Sequence, residues 1–140
     1  MPDVERLEAA IARGDPDLYS DIAEEWAKAV AEEGKREGRK NQSTQLRRFY
    51  NEISIWNERA NDRRRDFADI LPFVLMVRAK VAYAKGRKNV TDIYEKMINA
   101  GLQAIRAGKD TEEQRKRLMR FKIFLEAFTG FHGAMEKGGS

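Results

Sequence analysis

A chain of 140 residues, 41% apolar and 36% charged, is long enough for one domain with a buried core, and its mixed charge is not that of a disordered segment. It has no cysteine, which excludes disulfides and thiolate metal sites, and one histidine, which excludes paired-histidine metal sites and two-histidine acid–base relays. The net charge of +4 is unevenly spread: residues 1–33 carry ten acidic and three basic side chains, net −7, and residues 34–140 carry 24 basic and 13 acidic, net +11. A body so basic favours anionic partners. No apolar signal core opens the chain and no uncharged apolar run of about 18 residues occurs, so no membrane span is expected and a cytoplasmic location fits.

Apolar residues recur three and four apart along almost the whole chain, which predicts an all-α protein. Val4, Leu7, Ala10 and Ile11 mark a first helix ending at Gly14. Asp15 caps a second, after Pro16, with Leu18, Ile22, Trp26 and Val30 on one face. Residues 34–42, with two glycines, four bases and no large apolar residue, read as a basic linker. Ser43 or Thr44 then caps a helix striped by Leu46, Phe49, Tyr50, Ile53, Trp56 and Ala60. After Arg63-Arg64-Arg65 and Phe67, Ile70 and Leu71, Pro72 is expected in the first turn of a helix with Phe73, Val74, Val77, Val81 and Ala84 inward. Gly86 is expected as its left-handed cap. Ile93 to Ile105 and Leu118 to Phe128 mark the last two helices. The expectation is a compact four- to five-helix bundle over residues 43–136, an additional acidic N-terminal helical appendage at 1–33, a linker at 34–42 and a disordered tail at 137–140.

Catalysis has little support in these residues. His132 lies between Phe131 and Gly133 near a helix end, a position that suits packing or capping. Asp62, Asp66 and Asp69 recur at i, i+4 and i+7, a spacing that could hold a divalent metal for phosphodiester cleavage. Arg59, Arg63 and Arg65 interleave with them, and aspartates near a helix start cap it and complement its dipole. No metal, cofactor or catalytic residue is therefore expected. Gly34 to Lys40 lacks the spacing and strand-to-helix setting of a phosphate-binding loop.

The bases are the better lead. Arg115, Lys116, Arg117 and Arg120 have Glu112 and Glu113 beside them and read as a solvated helix face. Lys80, Lys85, Arg87 and Lys88 have no acidic neighbour in sequence, and Lys80 and Arg87 are two helical turns apart. Gln45, Arg47 and Arg48 add donors and charge at a helix N-terminus. Tyr83 is spaced for stacking on a base and equally for burial. The remaining aromatics, Trp56 and Phe73 among them, follow the core stripe and read as packing. Gln45, Arg47, Arg48, Lys80, Tyr83, Arg87 and Lys88 are the candidate RNA contacts.

Three segments together, Thr44-Gln45-Leu46-Arg47-Arg48-Phe49-Tyr50, Lys80-Val81-Ala82-Tyr83-Ala84-Lys85-Gly86-Arg87 and Phe121 to Phe128, resemble the small subunit of the type III-A CRISPR interference (Csm) complex over roughly residues 43–136. The acidic helices before residue 34 and the glycines at 130 and 133 depart from the pattern. The resemblance implies a non-catalytic, all-helical subunit that lines the channel of a guide-RNA complex and steadies bound target RNA, with guide and target RNA, other Csm subunits and further copies of itself as partners. A homodimer in isolation is also expected. The alternative is a helical protein-interaction module whose basic surface meets an acidic partner. In that reading the chain's own residues 1–33 could mask the basic body.

Overall fold

The helices run in chain order as α1 (Val4–Arg13), a 3-10 turn (Pro16–Tyr19), α2 (Asp21–Arg36), α3 (Ser43–Ala60), α4 (Phe67–Leu75), α5 (Val77–Gly86), α6 (Asp92–Arg106) and α7 (Thr111–Gly138), with no strand among the described residues. They come from a computed structural model that describes the backbone of residues 1–138 and the side chains of residues 1–136. Of the expected tail, Lys137 and Gly138 lie in the last turn of α7, and Gly139 and Ser140 fall outside the described residues. The all-α reading holds.

The core is built around α7, along which α2 and α3 pack most extensively. Its Leu118, Phe121, Phe124, Leu125 and Phe128 are all buried. Helix α6 comes close because Gly101 has no side chain: a Cβ there would sit 2.2 Å from the Phe121 ring.

Residues 1–33 are not an appendage. Leu7, Ala10 and Ile11 of α1 and Ile22, Trp26 and Val30 of α2 belong to the same continuous core as α7, and Trp26 is only 1% exposed. Most of the segment's acidic groups lie exposed on the outer side of these amphipathic helices. Among the described residues no ion pair joins this segment to the candidate RNA contacts, so charge masking has no basis in these contacts.

Nor is 34–42 a linker. Helix α2 continues through Gly34, whose Cβ would meet the Lys40 carbonyl oxygen at 2.3 Å, so the returning chain presses on the helix backbone. Arg39 and Asn41 take left-handed φ of 69° and 60°. Buried Asn41 fixes the turn: its amide nitrogen donates to Val30 O (3.0 Å) and Thr91 Oγ1 (2.7 Å), and its Oδ1 accepts from the Thr91 N–H (3.0 Å). These bonds offset the backbone cost of about 1–3 kcal/mol per left-handed side-chain-bearing residue. Glycine and charge suggested flexibility; one buried amide overrides both.

Pro72 lies inside α4 rather than opening a helix. It has no N–H to donate to the Ala68 carbonyl one turn back, and α5 takes over after Met76. Gly86 is not left-handed; Lys88, with φ 65°, makes that turn. The Arg115–Arg120 cluster is not merely a solvated face. Arg115 donates to the carbonyls of Ala60 and Arg65, Arg117 to Ala104 O (2.9 Å), and Arg120 to Ile11 O and Ala12 O (3.0 and 3.1 Å). Three arginines on the first turns of α7 thus satisfy carbonyls at the C-terminal ends of α1, α3 and α6.

Candidate nucleic-acid interface

Helices α3 and α5 lie side by side, and their facing ridges bring most of the candidates together. Gln45, Arg48 and Glu52 recur at helical spacing on α3, and Lys80, Tyr83 and Arg87 do so along α5 and its end. These six line one shallow groove of about 450 Å³. Beneath it, Leu46, Phe49 and Ile53 of α3 and Val81 and Ala84 of α5 turn into the core. The same periodicity that buries the apolar stripe thus aims the polar one outward.

Tyr83 is 66% exposed, so it is not a core residue. Arg87 lies against it, with the guanidinium carbon 5.7 Å from the ring centroid and Nη1 3.2 Å from the phenol oxygen. Lys80 is not unpartnered: its Nζ is 2.7 Å from Glu52 Oε1. Sequence separation hid that pairing, since Glu52 is on another helix. The second Glu52 oxygen is buried without a hydrogen-bond partner. Arg48 and Arg87 meet no carboxylate among the described residues, so their charge is available in the groove.

Lys88 and Gln45 line an adjoining groove with Arg39, Lys40 and Gln42 from the pinned turn. Arg39 and Lys40, assigned to a linker, therefore extend the basic surface. Two bases stand apart. Arg47 is exposed on α3 and lines neither groove. Lys85 bridges to Asp92 and Glu95; its hydrogen bonds with Asp92 first, then Glu95, raise its pKa and tie it to α6.

The residues considered for chemistry have other work. Arg64 holds the Asp62 carboxyl below the usual range through hydrogen bonds. Asp66 caps α4 by accepting from the Ala68 N–H at 3.0 Å. Among the described residues no three His, Asp or Glu side chains gather as a metal site. His132 is 4% exposed and stacks on Phe128, and burial pushes its pKa down.

The family model for Csm2 type III-A matches residues 15–138. The chain belongs to the Csm2 type III-A family. It is thus a small subunit of the type III-A CRISPR effector, a Csm complex with other protein subunits. No curated protein and no solved structure matches the chain. The Csm2 match begins at residue 15, so the 3-10 turn and α2 lie within the family's span, in agreement with their place in the core. No helix of the described residues is long and apolar enough to cross a membrane.

Proposed function

We propose that this Csm2 subunit lines the guide and target RNA channel of its effector complex, and that the α3–α5 groove holds the RNA backbone without reading sequence. One observation carries the proposal: Gln45, Arg48, Lys80, Tyr83 and Arg87, drawn from two helices, converge on a single groove. The Lys88–Arg39–Lys40 surface continues it. Fixed guanidiniums and an ammonium suit phosphates, and a surface that touches only the backbone leaves specificity to base pairing. The subunit contributes no bond cleavage in this proposal; Asp62 pairs with Arg64, Asp66 caps α4 and His132 packs on Phe128. Shallow and open, the groove gives one copy weak affinity, and copies held in a row gain from effective concentration. Self-association through the same partner-seeking surfaces is part of the proposal, with a homodimer as its simplest form in isolation.

The test is the double substitution Arg48→Glu with Arg87→Glu, chosen because neither side chain pairs with a carboxylate. Assembled complexes carrying it should lose affinity for targets of unrelated sequence by a similar factor. Undiminished binding would refute the assignment of the groove.

A further inference from the structure

Among the described residues the exposed aromatic side chains are Phe73 and Tyr83, and both lie on the α4–α5 rod, about 15 Å apart along it. The other phenylalanines and Trp26 are buried or partly buried. Phe73 was expected in the core, yet it is 49% exposed. It stacks on Trp56 of α3, ring centroids 5.1 Å apart and 15° from parallel. Arg59, one turn further along α3, sits 4.7 Å from the Trp56 ring and meets no carboxylate among the described residues. The same ridge therefore carries an aromatic with a guanidinium at each end, Tyr83 with Arg87 and Phe73–Trp56 with Arg59, and Lys80 between them.

We propose that the Phe73–Trp56 pair is a stacking site for an unpaired base of an RNA strand whose backbone lies in the α3–α5 groove; the proposal rests on the reading of that groove given above. Trp56 backs one face of Phe73 and leaves the ring half open to solvent. A nucleobase stacks on such a face whatever its identity, because every base has a π-face. Arg59 adds a cation beside the platform, where a phosphate flanking the base would pass. An apolar protein segment would gain from Phe73 and the exposed Met76, but the ridge that continues from them is cationic, and that favours a polyanion with rings.

The test compares wild type, Phe73→Ala and Phe73→Tyr as full chains, by fluorescence anisotropy with a labelled single-stranded RNA and with a fully paired duplex of the same sequence. Phe73→Ala should bind the single strand roughly fivefold to tenfold more weakly, with an unchanged salt slope because no charge is lost. Duplex affinity should not change, and Phe73→Tyr should restore the single-strand value. A 2-aminopurine placed along the strand should lose its stacking-induced quenching only in Phe73→Ala. Equal single-strand affinity for Phe73→Ala and wild type would overturn the platform and leave the backbone groove standing. Equal affinity combined with failure of Phe73→Ala to join the complex would overturn it in favour of a protein contact. Absence of salt-dependent binding by wild type would remove the groove reading, and the platform with it.

Discussion

Glu52→Gln should tighten RNA binding, an outcome that follows from the geometry of the groove and from nothing in the sequence order. The Glu52 carboxylate lies 2.7 Å from Lys80 Nζ and partly neutralises it at the centre of the basic ridge. Glutamine keeps the shape and removes the charge. For a phosphate about 6 Å away in a water-like dielectric, the repulsion relieved is about 0.7 kcal/mol, or roughly threefold in affinity. Lys80 is also released to engage a phosphate, which should steepen the slope of log affinity against log salt by about 0.7 for a single strand. The cost to folding is small. A pair with Lys80 half exposed is worth at most about 1 kcal/mol, and the unpartnered second oxygen of Glu52 becomes part of a neutral amide that is cheaper to bury. Anisotropy titrations of both proteins at four or five salt concentrations give both quantities, and thermal denaturation checks the fold. Unchanged or weaker binding by a stably folded Glu52→Gln would refute the placement of the RNA backbone beside Lys80.

Other outcomes test the scaffold that holds the groove. Arg120→Met loses two bonds to the carbonyls ending α1 and should destabilise the fold by about 1.5–3 kcal/mol in chemical denaturation, although the charge lies far from α1 in sequence. Gly101→Ala gains up to about 1 kcal/mol of helix propensity but drives a methyl against Phe121; overpacking of about 1–3 kcal/mol should win and lower Tm by several degrees. His132 should give a pH signature. Burial holds its pKa below the ordinary value of about 6.5, so the unfolded chain binds the proton more readily. Its stabilising contribution is complete above that value and declines as pH falls through the depressed folded pKa. Tm should therefore drop more steeply between about pH 7 and 5 in wild type than in His132→Phe, above the range where the carboxylates begin to titrate.

Helical periodicity made the fold class and most of the buried face legible, because the spacing that buries Leu118, Phe121 and Phe128 is a local property. What local pattern could not supply was pairing across the chain. Asn41 looks like a loop residue until Val30 and Thr91 are beside it, so the turn it pins read as a linker. The acidic outer faces of α1 and α2 dominated the composition of residues 1–33 and obscured the small apolar set that joins the core. At the candidate site, the bases of α5 and the start of α3 could be named from charge and spacing. The Glu52 partner of Lys80 could not, and neither could the exposure of Phe73. Phe73 occupies a plausible core register, yet its ring lies at the surface against Trp56 of α3.

The central claim is backbone recognition without sequence readout, and its most direct test is the affinity of the purified chain for two single-stranded RNAs of unrelated sequence over a salt series. Binding should be weak, the same for both sequences, fall steeply as salt rises and lose slope in Arg48→Glu with Arg87→Glu. Binding that separates the two sequences, or that ignores salt, would contradict it.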